Sequence, residues 1–227
     1  MDITLHYAEK GQGRPLILLH GNGEDHTYFV HQMEYFSRTR RVIALDTRGH
    51  GKSPRGTAPF TIWQFAEDLL HFMDSQGLAQ GDLLGFSDGG NIALTFALRH
   101  PERIGRLIMN GANLDPSGVK PSVQLPIVLG YHMASLFAGK RPKARKNAEL
   151  LALMVKEPKI QPEALKKIPN PTLVIAGTKD MIKEDHTRLI FRSLPHGELA
   201  ILPGDHFLAN KEHESFNQRV AAFLDKD

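Results

Sequence analysis

The chain of 227 residues contains no cysteine, so it can form no disulfide, carries no thiolate nucleophile and cannot build a zinc site on thiolates. Its histidines show no H-E-x-x-H or comparable ligand spacing, and neither a metal nor a cofactor is expected. No apolar run approaches the length of a bilayer span, and Met1-Asp2-Ile3-Thr4 lacks the basic and apolar regions of a signal peptide. The expectation is a cytoplasmic protein with no membrane partner. Net charge is only +3. The basic run Lys140–Lys146 has no interleaved aromatic residue and no reading motif beside it, so it reads as solvated surface and no nucleic-acid partner is expected. Internal repeats and low-complexity segments are absent, and nothing in the sequence fixes an oligomeric state.

Short apolar runs ending in small or polar residues recur at Pro15–His20, Arg41–Asp46, Asp82–Phe86, Arg106–Asn110, Thr172–Gly177 and Glu198–Leu202. Both faces of each run are apolar, the pattern of parallel strands buried on two sides. Between them the helical period appears in Ile62, Phe65, Ala66, Leu69, Leu70 and Met73, in Ile92, Ala93, Phe96 and Ala97, and over Ser215–Leu224. Alternation of strand and helix implies an α/β fold, a mostly parallel central sheet with helices on both faces. The length suits one domain over residues 1–227. From about Asn113 to Ile168 the rhythm breaks into proline-punctuated apolar stretches, which read as a short helical cap insertion over about 113–168. Pro169-Asn170-Pro171 then returns the chain to the next strand.

Gly85-Phe86-Ser87-Asp88-Gly89 matches G-x-S-x-G where a buried strand meets a helix. A sharp turn that pushes a serine out at a strand end leaves no room for Cβ atoms beside it, which accounts for the flanking glycines. A serine hydroxyl is a poor nucleophile at neutral pH and needs a base to take its proton and a carboxylate to orient that base. Asp180 follows the Thr172–Gly177 run and His206 follows the Glu198–Leu202 run, each on a loop at a strand's carboxyl end, where an open α/β sheet assembles a ligand site. Asp115 is an alternative acid. His186, in the helical Ile182–Leu194 segment, and His196, in a Pro-His-Gly turn, are expected at the surface. Gly49-His50-Gly51-Lys52-Ser53 lacks the upstream glycine of a phosphate loop.

His20-Gly21-Asn22-Gly23 after one strand, Asp46-Thr47-Arg48-Gly49-His50-Gly51-Lys52-Ser53 after the next, Gly85–Gly90, Gly177–Asp180 and Gly204–His206 follow in order. In this combination the chain resembles the α/β-hydrolase superfamily over essentially its whole length. The Ser-Asp-Gly-Gly elbow is similar to that of small bacterial esterase-like, biphenyl-hydrolase-like and amino-acid-ester hydrolases. The resemblance implies an α/β-hydrolase fold and an oxyanion hole made of the Asn22 and Asp88 backbone N–H groups, with His20 structural. It further implies acyl transfer from a small-molecule acyl substrate to water, with Ser87 as nucleophile, His206 as general base and acid, and Asp180 as orienting acid.

The Asp88 side chain has two readings, a cap on the helix that follows, which is favoured, or a carboxylate facing the pocket to bind a substrate amine. A pocket between the strand ends and the insertion has Phe86, Leu129, Met133, Phe137 and Met154 as candidate walls, with Leu125, Ile127, Val128, Leu136, Leu150 and Leu153 beside them. The short insertion suits a small or medium carboxylic ester, thioester or amide. Perhydrolase or haloperoxidase chemistry and carbon–carbon bond hydrolysis would use the same triad, and a non-catalytic ligand-binding role stands as the reading from another class.

Overall fold

The computed structural model describes residues 2–226. Its strands are β1 (Tyr7–Lys10), β2 (Pro15–Leu19), β3 (Arg41–Leu45), β4 (Gly81–Phe86), β5 (Ile104–Asn110), β6 (Thr172–Gly177) and β7 (Gly197–Leu202). Its helices are α1 (Val30–Phe36), α2 (Ile62–Ser75), α3 (Asp88–Arg99), α4 (Pro121–Phe137), α5 (Pro142–Lys156), α6 (Glu184–Ser193), α7 (Leu208–Lys211) and α8 (His213–Leu224). The six apolar runs are six strands, displaced by no more than two residues at their ends. β1 corresponds to no apolar run. Tyr7-Ala8-Glu9-Lys10 forms an edge strand with Glu9 and Lys10 exposed, and among the described residues it is the one antiparallel member of the sheet, paired with β3.

The strands form one sheet in the order β1-β3-β2-β4-β5-β6-β7. Chain order reverses between β2 and β4, which pair in parallel with Leu19 opposite Gly85. At such a reversal the loops leaving the two strands diverge and open a crevice. Here those loops are His20–Asn22 and the Ser87 elbow. Both sheet faces are covered. Ile17 and Leu19 of β2 point into a core with Ile62, Phe65 and Leu69 of α2 and Ile92 and Phe96 of α3. Leu16 and Leu18 point the other way, among Phe36 of α1 and Phe216, Val220 and Phe223 of α8. Each fully buried Leu, Ile or Phe removes enough apolar surface from water to contribute about 1.5–3 kcal/mol, which is why continuous apolar runs settle in the middle of the sheet.

Two polar devices fix the loop after β3. The buried Asp46 carboxylate accepts from the backbone N–H of His26 (2.8 Å) and Lys52 (2.9 Å) and contacts Nδ1 of His26 (2.8 Å) and of His6 (2.9 Å). Arg48, fully buried, donates Nε and Nη2 to Asp68 of α2, both at 2.7 Å. The Asp46–Ser53 motif is therefore scaffolding. Between β5 and β6 the chain adds no strand but forms α4 and α5, which pack on each other, with a bridge between Val119 and Ile182 at the base.

Candidate active site

Ser87 has φ 52° and ψ −119° and is the only non-glycine residue of positive φ among the described residues. Such backbone costs on the order of 1–3 kcal/mol and persists only where its surroundings over-determine it. They do so here. A Cβ on Gly85 would run into the Gly89 carbonyl, and one on Gly89 into the Leu19 carbonyl, so only glycines let the turn come this close to β2. The Ser87 N–H donates to the Asn110 carbonyl (2.8 Å) and its carbonyl accepts from Asn91 (3.1 Å), pinning the turn between β5 and the first turn of α3.

His206 reaches this serine from the loop after β7, with Nε2 at 3.0 Å from Ser87 Oγ. Its Nδ1 lies 2.7 Å from Asp180 Oδ1. An ionised carboxylate only accepts, so Nδ1 donates to Asp180 and Nε2 is left to take the serine proton. Asp180 is buried, and its Oδ1 also accepts the Ile182 N–H (2.9 Å). The Lys120 ammonium donates to the Asp180 carbonyl (2.5 Å). The His206 ring lies against Phe86, with centroids 4.9 Å apart. Gly111 leaves room for the ring, since a Cβ there would stand 2.6 Å from Cε1. The side chains picked out as Ser87, His206 and Asp180 thus come together.

The loop after β2 supplies the other half of the site. His20, buried, takes the Thr47 N–H on Nε2 (3.0 Å) and donates Nδ1–H to the Gly21 carbonyl (2.7 Å); burial lowers its pKa and keeps the ring neutral. The Gly21 N–H is engaged by Glu24 Oε2 at 3.0 Å. No acceptor among the described residues engages the N–H of Asn22 or Asp88. The Asn22 side chain binds these two residues together, donating to Asp88 Oδ2 (2.8 Å) and to the Leu150 carbonyl of α5 (2.8 Å). Two unengaged amides beside the serine, one at the start of α3, are what a developing oxyanion requires.

Asp88 departs from the favoured reading. Its carboxyl caps no backbone N–H; it is buried and accepts from Asn22 and, at 3.4 Å, from Asn91 Nδ2, and desolvation raises its pKa. The elbow turns this side chain inward, where a capping geometry is out of reach. Asn91 in turn donates to Asn113 Oδ1 (3.0 Å). Glu24 was not anticipated from the sequence. Burial raises its carboxyl to about 7, with the Gly21 N–H and the neighbouring His206 pulling the other way. Near it the buried Tyr28 ring stacks on Phe86, centroids 4.4 Å apart.

Other expectations fare differently. Asp115 accepts the Ser117 N–H (2.8 Å) in a turn and makes no contact with His206. His196 is exposed, but His186 is buried, contrary to expectation. α6 turns His186, Thr187 and Ile190 inward, and His186 Nε2 accepts the Leu114 N–H at 2.9 Å. Of the candidate pocket walls, Phe86 is buried under the elbow and Met154 is half-buried, its carbonyl accepting from Gln124. Leu129, Met133 and Phe137 are exposed. They lie on the solvent side of α4, because the face of Gln124, Gly130 and Tyr131 is the one that meets α5. A groove of about 740 Å³ between α2, α3 and the segment after α5 is walled by Trp63, Leu98, Arg99 and Glu157 and contains neither Ser87 nor His206. Among the described residues one cluster, His6, His26 and Asp46, has metal-ligand composition. Its carboxylate is already engaged by the two amides and two rings described above.

Residues 14–133 match the family model described as alpha/beta hydrolase fold. The chain is similar to the 2-hydroxymuconate semialdehyde hydrolase of Pseudomonas putida, 33% identical over 147 residues, 63% of this chain. It spans half the length of that relative. It is also similar to 3-oxoadipate enol-lactonase 2 of Acinetobacter baylyi, 26% identical over 255 residues, covering 98% of this chain and 94% of the relative. Among solved structures, the enol-lactonase of Burkholderia xenovorans LB400 superposes with a TM-score of 0.83 at 23% identity, covering 99% and 97% of the two chains, a likeness of fold.

Proposed function

This chain belongs to the alpha/beta hydrolase fold family, and from that premise we propose that it is a serine hydrolase cleaving a small or medium carboxylic ester through an acyl-enzyme on Ser87. The observation that carries this is the hydrogen-bonded series Ser87–His206–Asp180, 3.0 and 2.7 Å, built on a strained elbow. His206 Nε2 takes the Ser87 proton as Oγ attacks the carbonyl carbon, and Asp180 stabilises the imidazolium that forms. The Asn22 and Asp88 N–H groups receive the oxyanion, each such donor being worth about 2.7–4 kcal/mol at the transition state. Gly21 is not a third donor, because Glu24 holds its N–H. Collapse of the intermediate expels the alcohol, protonated by His206; water then attacks the acyl-enzyme with His206 again as base, and Ser87 is regenerated.

Residues of about 113–168 act in this reading as a cap on a single domain, with the Leu150 carbonyl touching the site through Asn22. The likeness to the semialdehyde hydrolase supports a second reading, in which the same serine serves a hydroxymuconate-type semialdehyde. Both readings need Ser87, and a substrate panel separates them. Hydrolysis of p-nitrophenyl acetate and butyrate by the wild type and Ser87→Ala tests the first. The expected loss is about 10⁴-fold or more, given what removal of a triad serine costs elsewhere; equal rates in the two proteins would remove Ser87 as nucleophile.

A further inference from the structure

α4 presents two unlike faces. The side bearing Val123, Gln124, Ile127, Gly130, Tyr131 and Ala134 is half-buried and meets α5. The opposite side carries Leu125, Leu129, Met133, Leu136 and Phe137, which are 67%, 64%, 57%, 78% and 49% exposed. Their spacing of three to four residues makes one stripe along a helix of 17 residues. Contiguous apolar patches of this kind on a protein surface mark interaction sites. No residue of α4 is buried, so the stripe is not left over from a core that needed it.

The charge around the stripe indicates what covers it. Between Asp115 and Glu149 there is no acidic residue, whereas Lys120, Lys140, Arg141, Lys143, Arg145 and Lys146 are basic. Lys120 is spent on the Asp180 carbonyl. The other five are exposed at the tip of the α4–α5 hairpin and the start of α5. The Arg141 guanidinium lies 5.6 Å from the Phe137 ring centroid, so the cationic tip adjoins the apolar stripe directly. Glu149, the first acid beyond them, is held by Arg55 at 2.9 and 3.0 Å.

We propose that the outward face of α4 and the basic tip of the α4–α5 hairpin form a docking surface for an anionic phospholipid bilayer. An amphipathic helix with an apolar stripe and basic flanks lies in the plane of the headgroups, stripe toward the acyl chains, cations among the phosphates. A second copy of this chain fits less well, since pairing two such segments brings together ten exposed basic side chains with no acid between Asp115 and Glu149 to offset them. The expectation of no membrane partner rests on the lack of a spanning run, which bears on crossing a bilayer and not on lying against one. Docking this way would also bring the hairpin, joined to the site through Lys120–Asp180 and Leu150–Asn22, onto the lipid surface. The proposal stands apart from the ester-hydrolase reading, and Ser87→Ala should dock like the wild type.

Flotation of the whole chain with vesicles of phosphatidylcholine, alone or with a third of phosphatidylglycerol, tests it. Binding is expected to the anionic vesicles and to weaken about tenfold as NaCl rises from ~0.05 to ~0.5 M. It should fall by a similar factor in Leu125→Ser/Leu136→Ser and, independently, in Lys140→Glu/Lys143→Glu, both with unchanged thermal unfolding because the side chains are exposed. No flotation of the wild type, equal flotation on neutral vesicles, or indifference to both variants overturns the proposal. So does a dimer in sedimentation velocity that the leucine variant dissociates, which would make the stripe a contact between copies.

Discussion

The Glu24 carboxyl, half-buried beside the loop that carries Asn22, is raised by burial from its ordinary 4.5 to about 7. Up to that pH the folded protein keeps a proton that the unfolded chain releases near 4.5. Stability therefore falls as pH climbs through this window, and the deficit is complete above pH 7. Glu24→Gln keeps an acceptor for the Gly21 N–H and removes the deficit. Urea unfolding should find the variant more stable than the wild type by on the order of 1 kcal/mol near ~pH 8.5 and equal to it near ~pH 4.5; a gap independent of pH would refute this account of Glu24. Ser87, Asp180 and His206 are conspicuous in the sequence because each follows an apolar strand in a short glycine-bearing loop. Glu24 is not. It stands next to Asp25, and nothing in the sequence says that Asp25 caps a turn through the Thr27 N–H (2.8 Å) while its neighbour turns inward. Asp88 escapes a sequence reading for a related reason: the capping position of α3 falls on Ser87 in the elbow, and Asp88, the first residue inside the helix, turns its carboxyl to Asn22.

Among the elements, α2 shows how a sequence signal becomes a position. Its apolar period is complete, and Thr61 caps it by accepting the Gln64 N–H (3.1 Å). What locks it to the loop after β3 is the buried pair Arg48–Asp68, which the period does not reveal. Removing one member strands the other charge in the core, so Arg48→Met should cost about 3–5 kcal/mol in denaturant unfolding, and adding Asp68→Leu should recover most of it. A loss below about 1 kcal/mol would mean that the pair is not structural. The parallel strands were legible because burial on both faces demands unbroken apolar runs. β1 was not, since an edge strand with Glu9 and Lys10 exposed has no such demand on it. The apolar residues of α4 are plain in the sequence and suggest a pocket wall. Which side of the helix meets α5 is decided by packing, and the packed side is the one with Gln124, Gly130 and Tyr131.

At the scale of the molecule, the reversal of strand order between β2 and β4 does most to assemble the site. It sets the Asn22 loop beside the Ser87 elbow, while β6 and β7, paired through Gly177 and Leu202, deliver Asp180 and His206 from the same edge. That architecture could be read from the order of the runs and the loops behind them, since parallel strands place all their carboxyl ends on one side. The orientation of the insertion could not, because a helix pair outside the sheet has no alternation of strand and helix to constrain it. The claim on which the functional reading depends is that Ser87 alone among the serines is an activated nucleophile. Treating the folded protein with a fluorophosphonate and mapping the adduct by mass spectrometry tests this directly. The account predicts one adduct per chain, on Ser87, absent from Ser87→Ala and from the unfolded protein; a chain that stays unlabelled, or a Ser87→Ala variant labelled as fast as the wild type, would contradict it.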